Sequence, residues 1–286
     1  MNTPKTIASG LALLIFSSSA QAVTIVDTFF DSGGTSAGLS DPPPLVAEGG
    51  GVYSYTFTSL GTFVATGSDK LVLGFQNKDT GAVTGPPVLD VTYGGAAMTQ
   101  AIQQASGRQR NSIFYLDNVA SDGNLVVRFT DGGTSNQASW TLGLYALNGT
   151  AAGVNDTATE RHLSAGGDLN DGGASVNVST DTGFVLNLYA RNNGNLNFTS
   201  PTPPFTVDAD STVPTDGGAL AHLYASAVVN ASGDYFTVAS GHGGGTPQST
   251  MVAAAFNAAP PVAIPEPSTT ALLGLGALGL ILRRRK

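Results

Sequence analysis

Ser112–Leu116 (SIFYL), Asn124–Thr130 (NLVVRFT) and Ser139–Leu147 (SWTLGLYAL) follow one another along the chain. Turn clusters stand between them, Ser121-Asp122-Gly123-Asn124 and then Asp131-Gly132-Gly133. Short runs rich in β-branched and aromatic residues, bounded by Gly, Asp, Asn and Ser, read as strands. The pattern extends outward in both directions. Val52–Thr58 (VYSYTFT), Lys70–Phe75 (KLVLGF) and Val88–Tyr93 (VLDVTY) precede it. Phe184–Ala190 (FVLNLYA), Ala219–Val229 (ALAHLYASAVV), Tyr235–Ala239 (YFTVA) and Met251–Phe256 (MVAAAF) follow it. Several runs alternate with period two, the mark of a half-buried strand, and Asp79-Thr80-Gly81 and Ser232-Gly233-Asp234 supply further turns. No ten-residue stretch between the ends carries a helical stripe. The expectation is an all-β, antiparallel β-sandwich.

Composition agrees. Of 286 residues only 11% are charged, 41% are apolar and 37 are glycine, which suits short strands joined by glycine-rich turns around a sizeable core. Charge is distributed unevenly. Between Val23 and Pro261 seven basic residues face nineteen acidic ones, a net −12, whereas Lys5, Arg283, Arg284, Arg285 and Lys286 sit in the end segments. So acidic a body repels phosphate backbones, and nucleic acid is not an expected partner. The absence of cysteine excludes disulfides, thiolate metal sites and cysteine nucleophiles.

The two ends read as an address. Lys5, the apolar run Ile7–Phe16 (IASGLALLIF) and the small pair Ala20 and Ala22 form a secretory signal over 1–22, with cleavage expected before Val23. A buried N-terminal helix is the competing reading. The body is expected over 23–257, as one domain or as two immunoglobulin-like subdomains split near residue 150. A proline-bearing linker spans 258–264, and the tail occupies 265–286. That tail holds Pro265, Glu266 and Pro267, then the apolar stretch Thr269–Leu282, then Arg283, Arg284, Arg285 and Lys286. The prolines keep the box extended, as a protease substrate must be. The fourteen apolar residues rise about 21 Å as a helix, short against a hydrocarbon core of about 30 Å. The terminal cations hold it with the box on the outer side of the membrane.

This order of box, apolar helix and basic cluster resembles the PEP-CTERM sorting signal of exopolysaccharide-producing Gram-negative bacteria. The resemblance covers the last two dozen residues. It implies an exosortase-like processing enzyme as partner, transient residence in the inner membrane, and a cell-surface or extracellular destination near polysaccharide. A permanent tail anchor is the alternative. The stretch Leu89–Leu147, with its Tyr93-Gly94-Gly95 turn, also resembles the jelly-roll-like sandwiches of secreted bacterial proteins, which implies fold alone.

No catalytic residue is assigned. Gly274-Leu275-Gly276-Ala277-Leu278-Gly279 fits a dinucleotide fingerprint in letters, but lies in the apolar tail rather than after a strand. His242-Gly243-Gly244-Gly245 lacks the nucleophile elbow that an oxyanion loop accompanies. Asp168, Asn170 and Asp171 offer hard oxygens in a tight turn, as do Asp208, Asp210 and Asp216. Both read first as acidic surface loops, and Ca²⁺ is the minor alternative, with no other cofactor expected. In Ser139–Leu147, Trp140 shares its face with Leu142 and Leu144 and reads as core. In Ala219–Val229 the apolar face takes Ala221, Leu223 and Ala225, which turns His222 and Tyr224 to the other, solvent-facing side as a minor ligand candidate. The functional expectation is therefore a structural or adhesive surface protein, not an enzyme. A carbohydrate-binding module or polysaccharide-active enzyme on the same sandwich is the alternative. A bound calcium would stabilise the native state by mass action, so the melting temperature is expected to be equal in EDTA and in calcium. A fall of several degrees on chelation would establish the calcium reading.

Overall fold

A computed structural model of the chain describes residues 21–34, 45–58, 60–79, 85–130, 137–162, 174–192, 204–213, 220–236, 249–261 and 284. Gln21–Ala259 forms one compact unit. Its described residues build seventeen strands. The first ten are β1 (Thr24–Gly34), β2 (Val46–Gly49), β3 (Val52–Phe57), β4 (Lys70–Asp79), β5 (Val88–Tyr93), β6 (Ala96–Ala97), β7 (Thr99–Ser106), β8 (Gln109–Asp117), β9 (Leu125–Thr130) and β10 (Gln137–Asn148). There follow β11 (Asp156–His162), β12 (Ser175–Val178), β13 (Gly183–Asn192), β14 (Thr206–Val213), β15 (Leu220–Val229), β16 (Gly233–Phe236) and β17 (Ser249–Asn257).

All ladders are antiparallel. A front sheet has the order β2-β3-β9-β5-β6, a middle sheet β1-β10-β4-β8-β7, and a third sheet β11-β17-β13-β15-β14. The pair β12–β16 stands alone. Within the first two sheets the pairing is nested: β1 with β10, β3 with β9, β4 with β8, β5 with β6. A ribbon doubled back on itself and wrapped across two layers gives this order.

Three cores separate the layers. Tyr55, Phe57, Val127 and Phe129 of the front sheet meet Leu71, Leu73, Phe75, Trp140 and Leu142 of the middle sheet, so Trp140 is core as expected. The opposite face of the middle sheet presents Val72, Ile113, Tyr145 and Leu147 to Phe184, Leu186, Leu188, Tyr224, Val252 and Phe256 of the third. The far face of the third sheet packs Val185, Tyr189, Leu223 and Ala253 against Val176 and Val178 of β12.

This stacking departs from the half-buried strands expected. β4, β10, β13 and β17 are covered on both faces, and such strands read as continuous apolar runs rather than alternating ones. The described residues beyond 150 supply the extra cover, as a sheet packed on the second face of the middle sheet.

Two features fit the middle and third sheets together. Gly74 and Gly143 are register partners. A Cβ on Gly74 would lie 2.8 Å from Tyr224 Cε1 and from Leu188 Cδ2, and one on Gly143 2.9 Å from Tyr224 Cδ1 and 2.8 Å from Phe30 Cε1. The two glycines thus leave a hollow that the Tyr224 ring fills. Its hydroxyl sits 3.0 Å from Thr141 Oγ1 and donates to the Gly74 carbonyl at 3.3 Å. Beside it, carboxamides of the middle sheet reach across to backbone oxygens of the third. Gln76 Nε2 donates to Tyr189 O (2.7 Å), and Gln109 Nε2 to Ala190 O (3.0 Å). Asn111 Nδ2 donates to Leu188 O (3.0 Å) and Thr250 O (2.9 Å).

A methyl group at position 74 must displace Tyr224 or Leu188. Overpacking of this kind costs about 1–3 kcal/mol, so Gly74→Ala is expected to lower the urea midpoint accordingly. Full stability in that variant would show that the hollow is not required.

Candidate functional site

The strongest constellation outside the cores lies where the body begins and ends. β1, β4 and β13 start at this pole, while β8, β10 and β17 finish there, because antiparallel ladders bring Thr24 beside Asn148, Lys70 beside Leu147 and Asp117, and Gly183 beside Asn257. Gly149 stands at its centre in the left-handed region, at φ 77°, a conformation glycine adopts without steric cost. Its N–H donates to Asp69 Oδ2 (2.6 Å), its carbonyl accepts from Ala259 N (2.7 Å), and its Cα faces Ala22 O so closely that a Cβ would lie 2.2 Å away. Thr182 also serves both ends of the body: Oγ1 donates to Gln21 O (3.3 Å) and its carbonyl accepts from Ala258 N (3.0 Å).

An ion pair braces the adjoining loop. Lys70, fully buried, pairs with Asp117 and donates to Gly153 O at 2.9 Å, while Gly153 N donates to Asp117 Oδ2 at 2.9 Å. The ammonium also lies 4.7 Å from the Tyr115 ring centre and 5.3 Å from that of Phe256. Burial pushes the Lys70 pKa down and the Asp117 carboxylate opposes it. Breaking a buried pair leaves an uncompensated charge, so this brace fixes the crossover from β10 to β11. Nothing in the local sequence announces it, since Lys70 and Asp117 are 47 positions apart.

The sequence candidates fare unevenly. His222 and Tyr224 share one face of β15 as expected, but that face is not wet: they are 3% and 1% exposed. The third sheet lays this face on the middle sheet, and Tyr224 fills the glycine hollow. Asp208 and Asp210 belong to strand β14, not to a loop. Asp208 is the unmatched residue of a bulge between Val207 and Ala209 and accepts from Tyr145 OH at 2.8 Å. Burial pushes its pKa up, and hydrogen bonds from Ser226, Tyr145 and Thr206 restrain the rise. Lys78, also buried, is pushed down to about 8 by desolvation and by the nearby Arg108. Among the described residues no group of three His, Cys, Asp or Glu is placed to hold a metal. Asp168, Asn170, Asp171, Asp216 and His242 lie outside the described residues, as do Ala20, Pro265, Glu266, Pro267, Arg283, Arg285 and Lys286. Ala22 and Arg284 are described and exposed. Among the described residues no helix is long and apolar enough to cross a membrane, and Thr269–Leu282 lies outside them.

A Pro-Glu-Pro box, an apolar stretch and a basic cluster at the end of the chain mark an exported protein with a C-terminal sorting signal. That signal is the PEP-CTERM protein-sorting motif, whose family model matches residues 263–286. It directs its carrier to the cell surface through an exosortase. No curated protein and no solved structure matches the chain.

Asp208 supplies a pH test. A carboxyl whose folded pKa is raised favours the fold below its unfolded value, and that contribution is lost as pH rises through the folded value. Asp208→Asn, which cannot ionise, is therefore expected to gain stability relative to the parent between pH 3 and pH 7. Denaturant titrations giving a pH-independent difference would contradict the raised pKa.

Proposed function

We propose that this is a cell-surface or extracellular-matrix protein, released from its membrane tail by an exosortase-like enzyme acting at Pro265-Glu266-Pro267. Its body is structural or adhesive rather than catalytic and is associated with exopolysaccharide. The observation that carries the reading is the sorting motif over 263–286. Polysaccharide association follows from the company such signals keep.

The non-catalytic reading draws on how the body uses its polar groups. Asp122 Oδ1 accepts from Ala65 N (2.7 Å), Thr66 N (2.9 Å) and Tyr93 OH (3.0 Å), which ties two loops together. Asp69 and Asp117 hold the crossover at Gly149 and Gly153, and Asp208 holds Tyr145. The carboxamides of Gln76, Gln109 and Asn111 bridge two sheets. Each of these groups makes a bond that ties loops or sheets together, which is the use a structural body has for its buried polar groups. The nested pairing of β1 through β10 supports a jelly-roll-like sandwich as the framework, with the third sheet added to it.

The test concerns the box. The apolar stretch and its cations, not the box, supply membrane affinity, so replacing Glu266 or both prolines should leave insertion intact and abolish processing. The variant is expected at full length in the inner membrane and missing from the surface fraction, while the parent loses roughly its last twenty residues. If variant and parent fractionate alike, uncut and membrane-bound, the tail is a simple anchor.

A further inference from the structure

We propose that Lys70 and Asp117 condense in the folded chain to an intramolecular amide, a covalent cross-link between β4 and β8. Both reactants are side chains of this protein, and the only product besides the amide is water.

Antiparallel pairing sets Lys70 directly opposite Asp117, two positions along the ladder from Val72 and Tyr115. Residues opposite one another across a ladder share a face and hold their side chains within reach. Their surroundings separate this pair from an ordinary surface contact. The Lys70 side chain has no exposure, whereas that of Asp117 keeps 25%. Tyr115 and Phe256 place their ring centres 4.7 and 5.3 Å from the ammonium. A single residue then fixes both reacting groups. The Gly153 carbonyl accepts from Lys70 Nζ, and the Gly153 N–H donates to Asp117 Oδ2, each at 2.9 Å. With Oδ2 so held, Oδ1 is the oxygen that meets Nζ. The nitrogen and the carboxyl group are in contact, oriented, and shielded from water on the lysine side. Confinement of this kind replaces a bimolecular encounter with an internal one and raises the effective concentration by many orders of magnitude.

An ammonium is not a nucleophile and a carboxylate is a poor electrophile. Transfer of one proton from Nζ to Oδ1 turns the pair into an amine and a carboxylic acid. Burial favours that transfer, because it removes two charges from an apolar site, and desolvation already pushes the Lys70 pKa down. A desolvated lysine amine is the form that attacks a carbonyl carbon. Nζ bonds to Asp117 Cγ, and the Cγ–Oδ1 bond breaks. Oδ1 departs as water with the proton it received and a second one from nitrogen, on the exposed side of Asp117. Oδ2 becomes the amide oxygen, still facing the Gly153 N–H, and no charge stays buried.

The other ion pairs among the described residues lack these conditions. Arg128 meets Glu48 and Asp90 with its side chain 38% exposed, and brings a guanidinium rather than an amine. Lys78, the body's other lysine, has Gln109 and Ser139 as ladder partners, not a carboxylate. A chain without cysteine has no disulfide to draw on; the amide constrains the fold covalently and needs no oxidant.

The full-length chain is purified in detergent and its mass measured under denaturing conditions, beside a sample held in urea that has never folded. The folded chain is expected to be lighter than the urea-held chain by one water, and the same loss should appear when the second sample is refolded and left overnight. Trypsin should fail to cut after Lys70 and should release the Lys70 and Asp117 segments as one joined species. Lys70→Arg, which keeps the positive charge, should show full mass and separate peptides. A folded parent chain that is cut after Lys70 and yields the Asp117 peptide unlinked holds an ion pair only and overturns the proposal, whether or not the variant folds. A water loss that maps to a cyclic imide at an Asp-Gly step such as Asp122-Gly123 overturns it equally.

Discussion

In a sheet with another sheet on each face, a buried polar group is costly unless it finds a hydrogen-bond partner in its own layer or in a neighbouring one. The middle sheet is in that position. Gln76, Gln109 and Asn111 lie at 0% exposure, and each places its amide on a backbone oxygen of the third sheet. An unpaired buried amide costs several kcal/mol, a paired one little, so these bonds act as a condition on assembly. The third sheet must dock in one register on the sandwich or leave three carboxamides without acceptors. Tyr224 adds a steric condition to the polar one, because its ring enters only where Gly74 and Gly143 face each other. Apolar burial drives the layers together; the seam decides how they meet.

Much of this was legible in the residues. Val88–Tyr93 is a strand as read, and the runs at Lys70, Ser112, Asn124, Ser139, Phe184 and Met251 all fall within strands or overlap them by all but a residue. Strands without an apolar run escaped notice: β7 (TQAIQQAS) and β11 (DTATERH) are edge or near-edge strands whose exposure frees them from the pattern. The number of layers was also not legible. Periodicity tells whether a strand has one dry face or two only when both are populated by large apolar residues, and Gln76, Gly74 and Lys70 on the second face of β4 disguised it. His222 and Tyr224 were assigned to the correct side of β15, yet the environment of that side depends on residues far away in sequence. A glycine within each of KLVLGF and SWTLGLYAL was the one available hint of close approach.

The sorting tail was legible for the opposite reason. Its parts act in order along the chain and need no partner from elsewhere in the fold, so composition and spacing are sufficient. The body's role depends on surfaces assembled from distant segments, and such surfaces leave no contiguous trace.

Both ends of the body leave from one pole, and this has a mechanical consequence. Any load carried through the C-terminal end enters at Asn257 and runs along β17, an inner strand laddered to β11 on one side and to β13 on the other. A pull directed along this strand would load the bonds of both ladders together in shear instead of opening them one at a time. A body hung by this strand is suited to bearing tension.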